Sequence, residues 1–255
     1  LTTLSRSENK NSHQRRALVG ARRGVRLGRD MSFFRDFSQI FIQLQSGLLY
    51  SVLIFVLTVV LSLPLGLLIC WGRMSKIKPV AWLFRIYISI MRGTPLMLQL
   101  FVVYFCPNYI FKIKLRDMGD HWMFLAVILG FALNYAAYFA EIYRSGIASM
   151  PEGQYEAAKV LGMNRPQTFF LVILPQVVRR ILPSMTTEII TLVKDTSLAF
   201  AIGQLEMFTM AKRLASAQVS MKPYLVEAIM YYVFNFLVAG GMARLEKRFG
   251  RYSLK

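Results

Sequence analysis

The chain contains no GxxxxGK[ST] phosphate loop, so it cannot bind and split a nucleotide by that route. Histidine and cysteine are scarce, with two of each. His13 and His121 stand alone, without metal-ligand spacing around them. Cys70 and Cys106 lie within or at the end of apolar segments, which suits packing, and their spacing supports no disulfide. No Ser/His/Asp arrangement suggests a nucleophile either. Catalysis by this chain alone is not expected, nor is a cofactor or a resident metal. Acidic residues are also few: 13 against 31 Lys and Arg, for a formal charge of +18. Period-two alternation in pieces of about ten residues is missing, which excludes a membrane β-barrel.

Long apolar runs are abundant instead. A bilayer core of about 30 Å takes roughly 20 consecutive apolar residues per helix. Residues 48–70 and 122–140 meet that requirement without a charge, and 224–242 does so with one carboxylate, Glu227. Residues 80–105 contain Arg85 and Arg92, and 168–193 contain Arg179, Arg180 and Glu188. In lipid the backbone must satisfy its own hydrogen bonds, so these runs are helices. The expected fold is all-α, a polytopic membrane protein with about five transmembrane helices.

Lysine and arginine in the short connections orient the spans. Arg73, Lys76 and Lys78 follow the first span, and Arg244, Lys247, Arg248, Arg251 and Lys255 follow the last. Both regions are expected in the cytoplasm, together with the loop around Glu156. The start of the first span then lies outside, as does the nearly neutral loop with Lys112, Lys114, Arg116, Asp117 and Asp120. Residues 1–30 break this pattern, with eight basic residues against two acids, net +6. They are read as an extension preceding a natural start at Met31, disordered or artefactual, with residues 31–255 forming the transmembrane domain. The blander reading is a basic arm at a membrane or nucleic-acid surface.

Residues 156–176, EAAKVLGMNRPQTFFLVILPQ, form a polar helix and turn wedged between apolar spans. Ser149, Pro151 and Glu152 supply a capping hydroxyl, an early proline and an acid that start a helix. Gly162 ends it, because glycine takes the left-handed conformation after a helix. Tyr155, Ala158 and Leu161 or Gly162 share one side, and Pro166 opens the next helix. Such a knob on the inner surface meets either lipid headgroups or a partner protein.

Glu156, Ala157, Ala158, Gly162, Val172, Leu174 and Pro175 resemble the signature of binding-protein-dependent ABC importer permeases, with Val172 where isoleucine is usual. Ser46 to Val52, the RGTPL run from Arg92 to Leu96 and the KDTSL run from Lys194 to Leu198 are similar to motifs of the polar amino acid permeases. Asn134, Tyr135, Ala136, Ala137, Tyr138 and Glu141 fit as well. The resemblance covers essentially residues 31–251. It implies the type I permease fold in a bacterial cytoplasmic membrane, and import of polar amino acids driven by ATP. It also implies partners: two copies of an ATP-binding subunit, a second permease (identical or paired) and an extracytoplasmic amino-acid-binding protein. No nucleic acid is implied. Glu156, Ala157, Ala158 and Gly162 would then belong to the coupling helix that docks on the ATPase.

Charges inside a span are costly and usually face a cavity or partner. Gly93, Thr94 and Pro95 interrupt the second segment, as broken helices do at transporter sites. Glu188, Thr191 and Asp195 share a helical face, and a carboxylate with an ammonium suits a zwitterion. The resemblance implies the same lining, so Thr94, Glu188, Lys194, Asp195, Thr196 and Ser197 are the candidate substrate residues. Lys194 and Asp195 could instead form an internal ion pair at a helix break. Glu227 reads as an interface group, Arg179 and Arg180 as contacts to lipid, an acid or another copy, and residues 207–210 as a short external helix. Rival readings are an ion-gradient transporter or channel, a scaffold, or an importer of metal-chelates, sulfur compounds or opines.

Overall fold

A helix whose apolar residues run all round its surface must be covered by protein or by lipid, and one helix of this chain is covered by protein. The computed structural model describes residues 2–113 and 121–250. The side chains of residues 2–35, Phe111 and Gly250 lie outside the description. The charged loop of residues 114–120 and the basic residues of 1–30 therefore fall outside the side-chain account. Among the described residues there is no strand. The helices are α1 (Thr2–Arg73), α2 (Lys78–Gly93), α3 (Leu96–Phe111), α4 (Trp122–Ala148), α5 (Glu152–Val160), α6 (Arg165–Gln167), α7 (Leu174–Asp195), α8 (Met207–Gln218) and α9 (Lys222–Gly250). A π-helical turn, Thr168–Ile173, joins α6 to α7, and a 3-10 turn, Thr196–Ile202, follows α7.

Among the described residues four stretches are long and apolar enough to cross a membrane: Asp36–Arg73, Trp122–Ala148, Arg165–Ile202 and Lys222–Phe249. The fifth expected span is the pair α2 and α3, which meet at a bend of 113°. Residues 80–105 therefore form two short helices folded back at Gly93–Pro95. The cause is local. Pro95 drives Thr94 out of the helical region, to φ −121° and ψ 149°, and Pro95 itself has no N–H to continue the ladder.

Helix α4 is the axis, and it is the most deeply buried of the four spans. It touches α1, α2, α3 and α7. Phe131, Tyr135 and Phe139 of α4 form the main core with Ile54 of α1, Leu100 of α3 and Leu192 of α7. Small residues set the spacing, as membrane helix pairs require. Gly66 of α1 brings the two backbones together: a Cβ there would lie 2.9 Å from Phe139 Cβ and 3.2 Å from the Ala136 carbonyl oxygen. A second core joins α1, α8 and α9 through Leu44, Met207, Ala211 and Val226.

The π-helical turn has a physical origin too. Pro175, near the start of α7, cannot donate to the preceding turn, and the Leu174 N–H reaches back five residues to the Phe169 carbonyl.

Substituting Gly66→Ala places a methyl group against backbone atoms that cannot move aside. It should cost about 1–3 kcal/mol. Thermal unfolding of the detergent-solubilised protein measures this, and an unchanged midpoint would contradict the close α1–α4 approach.

Candidate functional site

Carbonyls released where a helix breaks inside a bilayer need donors from the protein. At Gly93–Pro95 they come from two side-chain amides. Gln99 Nε2 donates to the Met91 carbonyl at 3.0 Å, the Thr94 carbonyl at 3.1 Å and Thr94 Oγ1 at 2.8 Å. Asn134 Nδ2 of α4 donates to the Met91 carbonyl at 3.0 Å and to Gln99 Oε1 at 2.9 Å. Thr94 Oγ1 donates in turn to the Ile90 carbonyl at 2.8 Å. The Thr94 hydroxyl is thereby committed to closing the break, while the residue itself is exposed.

The break delivers Arg92 to a polar cluster. Its guanidinium lies 5.2 Å from the centre of the Tyr138 ring on α4, a cation–π contact. Arg92 is also the opposite charge acting on half-buried Glu188 of α7, and Asp195 acts on Glu188 as a like charge. Asp195 Oδ2 accepts the Tyr135 hydroxyl at 2.7 Å. Two carboxylates on α7, two tyrosines on α4 and one guanidinium at the end of α2 thus converge.

The other predicted residues behave differently. Lys194 is exposed, and among the described residues no ion pair joins it to Asp195. The internal pair expected as an alternative does not form, because adjacent helical residues point about 100° apart. Ser197 donates to the Lys194 carbonyl at 2.8 Å. Thr196 is fully buried, donates to the Val193 carbonyl at 2.8 Å and faces Tyr231 of α9. Arg92, Tyr135 and Tyr138 were not singled out from the sequence as site residues. Their signals were a charge inside an apolar segment and tyrosines three residues apart.

Along α7, Ser184, Thr187 and Lys194 are exposed, and Glu188 and Thr191 are half-buried between them. These positions recur at helical spacing and form a polar stripe. A stripe of this kind inside a span faces water or protein, since lipid cannot solvate it.

At one end of α7 stands the α5 knob. Its N-cap is Pro151, with no side-chain cap, so the expected capping role of Ser149 is not found. Ser149 Oγ donates to the Gly146 carbonyl at 2.8 Å and finishes α4 instead. The predicted stop is in place: Gly162 has φ +75°, its N–H reaches the Lys159 carbonyl and the Met163 N–H reaches the Ala158 carbonyl, both at 3.0 Å. Asn164 and Gln167 then cap each other reciprocally at 2.9 and 3.0 Å.

The faces of α5 are sharply divided. Ala158 is 3% exposed and seats the helix on the π-helical turn, whereas Val160 and Leu161 are 87% and 76% exposed. Leu161 therefore does not share a side with Ala158, as the sequence had suggested. Glu156 and Ala157 are exposed as well. The knob is tied to α7 by Gln176 Nε2 donating to Gln154 Oε1 at 3.1 Å, and Arg180 donates to the Ser149 carbonyl. Arg180 is thus a tether for the loop. Among the described residues no group of three or more His, Cys, Asp or Glu could hold a metal ion.

Comparison with known proteins places these features. The family described as "Binding-protein-dependent transport system inner membrane component" matches residues 62–251. The chain is 35% identical over 214 residues to the L-cystine transport system permease protein TcyB of Bacillus subtilis, covering 83% of this chain and 88% of that one. It is 36% identical over 207 residues to the probable amino-acid ABC transporter permease protein YckA of the same organism, covering 81% and 88%. A crystal structure of an amino acid ABC transporter with histidines superposes with a TM-score of 0.74 at 31% identity, covering 84% of this chain and 96% of that one.

Replacing Gln99 with leucine removes the donor to three oxygens at the break. The loss should be about 1–3 kcal/mol, the cost of buried acceptors left unpaired. Thermal unfolding in detergent reads it directly, and an unaltered midpoint would show that Gln99 does not hold the break.

Proposed function

The chain belongs to the family of binding-protein-dependent transport system inner membrane components, and on that premise we propose that it carries polar amino acids across the membrane along the α7 stripe. It is a membrane-spanning permease subunit of an ABC importer, a transport component whose ATP hydrolysis lies on a separate subunit. Polar amino acids are the cargo supported by the relatives and by the cluster around Glu188. A substrate ammonium group would meet Glu188 and Asp195, and its carboxylate Arg92 or Lys194. Thr94, Thr196 and Ser197 shape the walls through the backbone they hold.

The observation that carries this reading is the construction of α5. A small helix, closed at both ends by backbone geometry, presents Val160 and Leu161 to solvent beside Glu156 and Ala157. Exposed apolar groups of this size on a polar helix mark a protein contact. We assign that contact to the ATP-binding subunit, with Glu156, Ala157, Ala158 and Gly162 forming the coupling element. Closure of two ATP-binding subunits would drag α5. The Gln154–Gln176 and Arg180–Ser149 links would pass the motion into α7, and the polar stripe would tilt between inward-facing and outward-facing states as a rigid body. A second permease covers the stripe from the other side. An extracytoplasmic binding protein delivers the amino acid, and ATP hydrolysis resets the cycle. The loop basic residues support an orientation with α5 and the C-terminal end in the cytoplasm and the start of the first span outside, in a bacterial inner membrane. We take residues 31–255 as the permease domain; its first helix, α1, continues back to Thr2 and so does not bear out the disorder expected for residues 1–30.

Two measurements on the complex in proteoliposomes test the reading. Glu156→Lys should lower ATP-driven uptake at least tenfold while ATP hydrolysis persists, and normal uptake would end the coupling role. Glu188→Gln should leave assembly intact and weaken the apparent affinity for amino acid by roughly 10–100-fold, the loss of one charge-assisted hydrogen bond. Unchanged uptake kinetics would remove Glu188 from the substrate path.

A further inference from the structure

At the end of the bundle opposite α5, two carboxylates are buried together. Glu206 is 0% exposed and is the N-cap of α8. Its oxygens accept from the Phe208 N–H at 2.7 Å, the Thr209 N–H at 2.6 Å, the Thr209 hydroxyl at 2.8 Å and the Tyr231 hydroxyl at 3.3 Å. Four donors aimed at one carboxylate, at the positive end of a helix, are arranged for its ionised form. Burial still lifts its pKa from 4.5 to about 6.

Glu227 lies one helical turn before Tyr231 on α9 and is 5% exposed, so the sequence reading of an interface group fails. The charge of Glu206 acts upon it. Among the described residues no hydrogen bond to it is found, and no lysine or arginine charge acts on either carboxylate. The groups around the pair are Ser51 of α1, Thr196 of the 3-10 turn, Thr209 of α8 and Tyr231 of α9. All of them are neutral.

Two negative charges cannot share a buried, cation-free site without a large electrostatic cost. The donors around Glu206 compensate one of them. The other needs a single positive charge, and only Glu227 is free to hold it. We propose that Glu227, backed by Glu206 and the Tyr231 hydroxyl, is a binding site for one monovalent positive charge, a proton or an alkali cation, and that its occupancy fastens α8 to α9. An empty site sets a bare carboxylate against the acid that caps α8 and drives apart the Glu206–Tyr231 contact. The position of α8 then follows the acidity or cation content of the solution at that end of the molecule. This inference goes beyond the transport reading and does not depend on it.

The test uses the assembled complex in detergent, with unfolding midpoints measured from pH 4.5 to pH 8 in choline chloride and in sodium chloride. A carboxyl that binds a proton more tightly when folded gives stability present at low pH and lost as pH rises above the ordinary carboxylate range. The wild-type midpoint should fall by roughly 4–8 °C across the measured pH range in choline chloride. Glu227→Gln, which keeps the shape without the charge, should shrink the fall to the part that Glu206 contributes through its own burial. If sodium restores the wild-type midpoint at pH 8, the bound charge is an alkali ion; if it does not, the charge is a proton. Either result supports the site. A Glu227→Gln complex that follows the wild-type pH profile overturns it. If that variant fails to assemble, a wild-type midpoint indifferent to both pH and sodium overturns it equally.

Discussion

A chain that leaves its helix inside a bilayer must supply partners for every carbonyl it exposes, and the architecture depends on how Gln99 and Asn134 meet that demand. Pro95 makes the break unavoidable, and the two amides make it tolerable. Asn134 belongs to α4, so the same hydrogen bonds clamp the α2–α3 corner onto the central helix. The corner in turn carries Arg92 over Tyr138 and into the field of Glu188. Removing the break would straighten α2 and α3 and withdraw the cation from the cluster.

Helix α7 connects two kinds of chemistry. Its first turns are bound to the α5 knob through Gln176 and to the connection before it through Arg180, and its middle bears the polar stripe. The π-helical turn forced by Pro175 separates the knob from the stripe without loosening either. A displacement of α5 therefore has a short mechanical route to Glu188, through hydrogen bonds and one continuous helix. The exposed polar residues of α7 give the other half of the argument, because such a face must be covered inside a membrane.

Much of the coupling helix was legible from local chemistry. Gly162 stops it at positive φ, and Pro166 opens the next element, as their backbone preferences require. Ser149 misled, since its hydroxyl found a nearer carbonyl in the helix it ends. The membrane cluster was legible only as a list of polar residues. Glu188 and Asp195 do converge, yet Thr196 faces Tyr231 of α9, and no ion pair joins Lys194 to Asp195 among the described residues. A helical turn of 100° per residue separates neighbours that a linear motif groups together.

By itself the sequence determined the helical class, the apolar spans, the break at Gly93–Pro95 and the knob that ends at Gly162. Each follows from backbone preference or from the length of an apolar run, which are properties of a few consecutive residues. Only the tertiary structure decided that residues 80–105 fold back on themselves, that the charge of Arg92 acts on Glu188, that Arg180 holds the loop and that Glu227 is buried near Glu206. Those outcomes join residues far apart in the chain, and they depend on helix packing distances and rotations that no local pattern encodes.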